Sequence, residues 1–303
     1  MIQAPPSGSS TATRPDEARA QLAAADCRLV MAGATLAQLV TLGPCQLLDD
    51  ETLVRTRALV TDLAAQLADA DAALIAPVRD MLAASPTILT HCHALAIEWR
   101  LGAVMAARRG LDPVLPPLLR RRLDGRAFGD DAAALATALL AAQTRVGEAL
   151  RRMRLPFDEL PGDLQHMAVA IADGARADHG HGDALPARVS GGTHPDRGRL
   201  ALLRRVLAGL GADSGAGLNL DQAGVPLFLS ALALASGAQR DAVVLATAED
   251  DPIRLALLLR AGGLSRDHAA EHLLAIRPDA DPALVDQALT AAPTQAGPDG
   301  GAQ

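Results

Sequence analysis

The 303-residue chain contains no lysine and no tyrosine, and all 28 of its basic residues are arginine. Aromatic residues make up only 1%, one Trp and three Phe. Strands draw on aromatic and β-branched side chains, and surfaces that stack bases draw on aromatics, so a strand-rich fold and a base-stacking surface are both disfavoured. Without lysine there is no P-loop lysine, and Ser190-Gly191-Gly192-Thr193 is excluded as that kind of nucleotide cradle. The three cysteines, Cys27, Cys45 and Cys92, are odd in number and far apart. They form neither a disulfide framework nor a CxxC metal pair, which points to a reducing compartment. The first residues lack a basic start followed by an apolar run. The most apolar segment, Val225 to Ala235, is short of the ~20 residues that span a bilayer. The expectation is a cytoplasmic protein without membrane contact.

What is present is helix-forming. Half the residues are hydrophobic, and with so few aromatics these are mostly Ala, Leu and Val. Ala and Leu lead the helix-propensity ranking, so an all-α fold is predicted. A net charge of −7 gives no global attraction to nucleic acid or anionic lipid.

Residues 1–13 and 291–303 are rich in Pro, Gly, Ser and Thr and read as disordered tails. Between them an N-terminal helical domain over 14–173 and a C-terminal, repeat-like helical domain over 196–290 are expected. Arg14-Pro15-Asp16-Glu17 opens a first helix, with Pro in its first turn. Asp49-Asp50-Glu51 opens another, with an apolar stripe of Leu53, Val60, Leu63 and Leu67. A third is predicted from about Thr87 to Arg109. A fourth follows Asp130 and Asp131, with Leu135, Leu139, Ala142, Val146 and Leu150 on one face. Residues 174–195 are rich in Gly, His, Asp and Pro and read as a linker or long loop. Beyond it, helices near 225–236 and 252–261 are apolar on most sides. Leu227, Phe228, Leu232, Leu255, Leu258 and Leu259 are expected to be buried together. Asp-Pro recurs at Asp112-Pro113, Asp251-Pro252 and Asp281-Pro282, reading as an Asp cap with Pro at the first helical position. Ser265 is a further cap. The spacing of the last two Asp-Pro pairs fits a two-helix unit. The fold is therefore expected to be an irregular helical array, either a HEAT-like solenoid of helix pairs or an ordinary bundle that reuses one cap.

His268-Ala269-Ala270-Glu271-His272 has the HxxEH spacing of inverted zinc peptidases. Such a zinc needs a further ligand, taken in that family from a downstream Glu, and no Glu follows Glu271. Leu273, Leu274 and Ile276 are assigned to the apolar side of this helix, which puts the His pair in solvent. In His91-Cys92-His93, consecutive residues on a helix point about 100° apart, so the pattern suits mid-helix positions better than chelation. His179 and His181, with His194, lie in a loop whose geometry nothing fixes. His268, Glu271, His272, His179 and His181 are thus the weak metal candidates. Arg120, Arg121, Arg122 and Arg126, and Arg151, Arg152 and Arg154, form two local basic patches able to touch phosphate. The bland alternative for both is a solvated face paired with acidic neighbours.

The stretches ALIAPVRDMLAASPTILT (73–90) and PLFLSALALASGAQRDAVVLATAEDDPIRLALLLRAGGLSRDHAAEHLL (226–274) resemble a family of alphaproteobacterial helical proteins of undefined function. The likeness covers most of residues 50–290. It implies a HEAT-like helical fold, and it implies no activity and no site residues. Together these readings point to a non-enzymatic scaffold or regulator that binds another protein and needs no cofactor. A metal-dependent hydrolase using the His-rich positions, or nucleic-acid binding through the Arg patches, are the alternatives.

Overall fold

The computed structural model describes residues 46–69, 71–124, 128–178 and 198–291. Among them are thirteen α-helices and no strand, so the fold is all-α. The expected tail over 1–13, the expected tail over 291–303 apart from Ala291, which ends the last helix, the helix expected at Arg14, and residues 179–195 with His179, His181 and His194 lie outside the described residues.

A one-turn 3₁₀ helix, Gln46–Leu48, leads into α1 (Asp50–Leu67). Asp49 caps α1, accepting from the Thr52 N–H at 3.2 Å, and Asp50 and Glu51 sit in its first turn. α2 (Ala72–Ala84) and α3 (Pro86–Arg109) are separated by Ser85 alone and meet at 89°. Ser85 adopts an extended conformation, as the residue before a proline prefers. Pro86 then starts α3, where its missing N–H costs nothing. α4 (Pro117–Arg122), α5 (Asp130–Arg151), a 3₁₀ turn (Phe157–Glu159) and α6 (Gly162–Asp178) follow. The expected loop at 174 therefore begins later: the last turn of α6 runs through 174–178, because Ala175 and Arg176 are buried there.

The chain re-enters with α7 (Arg199–Ala208), a 3₁₀ turn (Gly211–Asp213), α8 (Ser214–Gly217), α9 (Leu220–Ser236), α10 (Arg240–Ala246), α11 (Ile253–Ala261), α12 (Arg266–Ile276) and α13 (Pro282–Ala291). α9 is kinked at Gly224, whose φ of 66° and ψ of 168° suit only glycine. The kink places Pro226 at the start of the main run of α9, where proline is tolerated.

Two apolar clusters hold the described residues together. The first joins Leu59 and Leu63 of α1, Leu82 of α2, Cys92 and Leu95 of α3, Val146 of α5 and Ala168 of α6. The second gathers Leu101 and Met105 of α3, Leu139 of α5 and Leu203 of α7 around Leu227 and Phe228 of α9, with Leu255, Leu259 and Leu273 beyond. It draws on residues from both sides of the 174–195 segment. α3 and α5 feed both clusters. α9 packs against α3, α4, α7, α8, α10 and α11. A solenoid repeat touches only its neighbours. The packing around α9 is instead that of an irregular helical array, and no HEAT-like stacking is established by it.

The expected C-terminal core is largely present. Leu227, Phe228, Leu232, Leu255 and Leu259 are fully buried, whereas Leu258 is half-buried at the edge. α11 is less enclosed than expected, with Ile253 and Leu257 in solvent. Of the Asp-Pro pairs, Asp281 caps α13, accepting from the Ala283 N–H at 2.8 Å, with Pro282 first in the helix. Asp251 acts one residue early, since α11 starts at Ile253. Asp112 makes a turn to Val114 and Leu115 instead, and α4 begins only at Pro117. No single described helix is long and apolar enough to cross a membrane.

Candidate functional site: a cleft above a buried Arg–Glu–Arg cluster

Glu98 stands on α3 between Leu95 of the first apolar cluster and Leu101 of the second. A carboxylate in that position is stable only if its charge is met. Arg199, the first residue of α7, meets it with a two-pronged contact, Nη1 to Oε1 at 2.8 Å and Nη2 to Oε2 at 3.1 Å. Arg240, the first residue of α10, adds an ion pair, Nη2 lying 2.9 Å from Oε1. The side chains of Glu98, Arg199 and Arg240 are 6%, 7% and 9% exposed. Burial alone would raise the Glu98 pKa. The charges and hydrogen bonds of Arg199 and Arg240 outweigh it and hold the carboxyl well below the usual carboxylate range.

The cluster has a supporting shell. Arg240 Nε donates to Ser230 Oγ at 2.9 Å, and that hydroxyl donates to the Pro226 carbonyl at 2.8 Å. The Arg199 backbone N–H donates to Glu159 Oε2 at 2.8 Å, so a carboxylate already sits at the amino end of α7. Arg240 Nη1 and Nη2 are both buried without a hydrogen-bond partner among the described residues, the contact of Nη2 with Glu98 being an ion pair only.

Above Arg240 opens a cleft of about 920 Å³. Its walls are the starts of helices: Pro86 and Thr87 of α3, Gly162 and Asp163 of α6, Gly198 and Leu200 at α7, and Gln239 and Asp241 at α10. Helix amino ends carry unpaired N–H groups and partial positive charge. α3 has no side-chain cap, since the Ser85 hydroxyl points to Met167 Sδ at 3.3 Å. Arg204 and Arg205 of α7 also line the cleft; both are exposed, and neither forms an ion pair among the described residues. The acids of the cleft are mostly engaged. Asp241 holds His91 Nδ1 at 2.9 Å, and Glu159 also faces Arg145 at 3.5 Å.

A smaller, apolar pocket of about 360 Å³ lies on the Glu98–Arg199 side, walled by Trp99, Val114, Val146, Val225 and Pro226. No family model, no curated protein and no solved structure matches this chain.

The residues singled out by motif do not assemble into a site. His268 and Glu271 are exposed on α12, but His272 is buried and stacks edge-on against Phe228, ring centroids 5.4 Å apart. The expectation that both histidines face solvent is wrong for His272, and Leu274, placed on the apolar side, is exposed. The buried stripe is Ala269, His272, Leu273 and Ile276, an i, i+3, i+4, i+7 set. Burial lowers the His272 pKa. Among the described residues no group of three His, Cys, Asp or Glu is placed to hold a metal. His91 and Cys92 are both buried in α3, and burial, with Asp241 nearby, pushes the Cys92 thiol up to about 12.

The Arg patches are largely committed within the fold. Arg122 is buried, donates to the Gly209 carbonyl at 2.9 Å and lies over the Phe128 ring. Arg121 donates to Gln222, while Arg151 and Arg152 share Glu148. Arg120 is exposed. The Glu98–Arg199–Arg240 cluster and the cleft escape a motif search, since Arg199 lies 101 positions from its partner.

Proposed function

We propose that this chain is a non-catalytic recognition module that holds a partner protein in the cleft between α3, α6, α7 and α10. The observation that carries the reading is the convergence of helix amino ends on one cleft beside Arg204 and Arg205, two guanidinium groups without an ion pair among the described residues. The floor is rigid, because Arg240 and Arg199 are fixed on Glu98. Rigid floors with unpaired donors favour binding, since little order has to be imposed on association. Against catalysis, the acid–base pair that the described residues place at the cleft, His91 and Asp241, has its His Nε2 buried and without a hydrogen-bond partner among those residues. A general base must reach the proton it removes.

The test is site-resolved. A photo-crosslinking residue is placed at Ala201 or Ala242 in the cleft, and at Arg57 on α1 as a remote control. One protein is expected to crosslink from the cleft positions alone. Purified, it should form a stoichiometric complex with the wild-type chain and not with the Arg204→Glu/Arg205→Glu variant. A complex indifferent to that charge reversal, or crosslinks of equal yield from Arg57, would overturn the reading.

A further inference from the structure

We propose that the cleft contains an oxyanion subsite, in which a carboxylate or phosphate group is held between Arg204 and Arg205 and the amino ends of α3 and α6, with Arg240 behind it. The inference rests on the proposed recognition role for its biological meaning, though not for its chemistry. The occupant we assign is an Asp- or Glu-rich segment of a partner protein, whose charge complements Arg204 and Arg205 at the rim.

The argument is one of unpaired donors. Arg240 is nine-tenths buried and lines the cleft; its Nε donates to Ser230, its Nη2 is ion-paired with Glu98, and among the described residues neither Nη1 nor Nη2, both sealed from solvent, makes a hydrogen bond. Buried polar groups are nearly always paired, so a guanidinium with unmet donors behind the wall of a cleft leaves positive potential for an anion in the cleft to meet. Arg204 and Arg205 stand on successive positions of α7, at the rim. Thr87 and Ile88 lie in the first turn of α3, whose Ser85 cap makes no side-chain hydrogen bond to it. Gly162 and Asp163 begin α6 on the opposite wall. Helix amino ends and arginine forks are the two features that recur at carboxylate and phosphate sites.

The acids nearby do not fill the place. Asp241 is engaged by His91, and Glu159 is engaged by the Arg199 N–H and Arg145. Asp163 is exposed on the first turn of α6 and, among the described residues, is the acid of the cleft left to compete for the subsite. Half-buried Leu200 and Leu245 give an extended segment apolar surface to lie on around its charged group.

Calorimetric titration of the full chain at low salt tests this with hexaglutamate peptide and with inorganic phosphate as separate probes. Three proteins are compared: wild type, Arg204→Ala/Arg205→Ala, and a charge-matched control, Arg120→Ala/Arg152→Ala, whose residues are equally exposed. The proposal expects hexaglutamate to bind the wild type, to weaken tenfold or more in the Arg204/Arg205 variant, and to be unchanged within twofold in the control. Binding should also weaken as salt rises. If phosphate binds with that same dependence and hexaglutamate does not, the oxyanion subsite stands and the protein-partner reading fails. If neither probe binds, or the two double variants weaken binding alike, the subsite is overturned. Circular dichroism of both variants guards against misfolding.

Discussion

Replacing Glu98 with Gln keeps the shape of the side chain and removes its charge, leaving Arg199 and Arg240 as two buried cations without a counter-charge. The cost follows from the contacts. Two hydrogen bonds from Arg199 and the ion pair with Arg240 end on this carboxylate, all under 10% exposed. Hydrogen bonds to charged groups are each worth ~1.5–3 kcal/mol, and breaking a buried pair by removing one partner costs ~3–5 kcal/mol. We expect the variant to lose ~3–5 kcal/mol in urea melts. At ~2–4 °C per kcal/mol for a domain of this size, Tm should fall by roughly 6–20 °C. The sign with pH is also fixed. The folded carboxyl is held below its unfolded value, so its contribution is complete above that value of about 4.3 and fades only as pH falls through the depressed folded one. The Glu98→Gln penalty should therefore be as large at pH 5 as at pH 7. Combining Glu98→Leu with Arg199→Met and Arg240→Leu should restore most of the stability, because an apolar replacement of a buried ion cluster is often neutral. A loss below ~1 kcal/mol for Glu98→Gln would refute the claim that the cluster is buried and mutually dependent.

Further outcomes follow from single contacts. Phe228→Ala empties the centre of the second apolar cluster and should cost ~3–5 kcal/mol, whereas exposed His268→Ala should change stability by less than about 0.5 kcal/mol; chemical denaturation compares them. Gly224→Ala puts a Cβ 2.9 Å from Pro116 Cβ at a positive φ, so a loss of ~1–3 kcal/mol is expected in the same assay. His272 has a folded pKa below its unfolded value of about 6.5, so the wild type should lose stability as pH falls from 7 toward and through the folded value, and His272→Leu should flatten that slope. Cys92, buried and with its thiol pushed up to about 12, should react with a thiol reagent only as fast as the fold opens.

Local signals in the sequence locate most helices. The first helix position after Asp49 and the Ser265 cap, accepting from the His268 N–H at 3.3 Å, follow from capping chemistry, and α3 starts at Pro86, one residue before the expected Thr87. The stripe of α5 follows from its spacing, with Leu139, Ala142, Val146 and Leu150 buried. α12 shows why spacing has to outrank residue class. Ala269, His272, Leu273 and Ile276 form one face, and a histidine on it is buried, while Leu274 is turned about 100° from Leu273 and is wet. The expected loop over 174–195 begins too early because Gly174 and its polar neighbours hide the buried Ala175 and Arg176. The site itself is non-local. Glu98, Arg199 and Arg240 are ordinary charges on three helices until packing brings them together, and no periodicity encodes that meeting.

Hydrogen exchange across the full chain, with and without saturating hexaglutamate, tests most directly whether the cleft is the recognition surface. The account predicts added protection in the first turns of α3 and α6 and along α7, residues 86–90, 162–165 and 199–205, with α12 and α13 unchanged. Protection that spares those helix starts, or that centres on α4 around Arg120–Arg122, would contradict it.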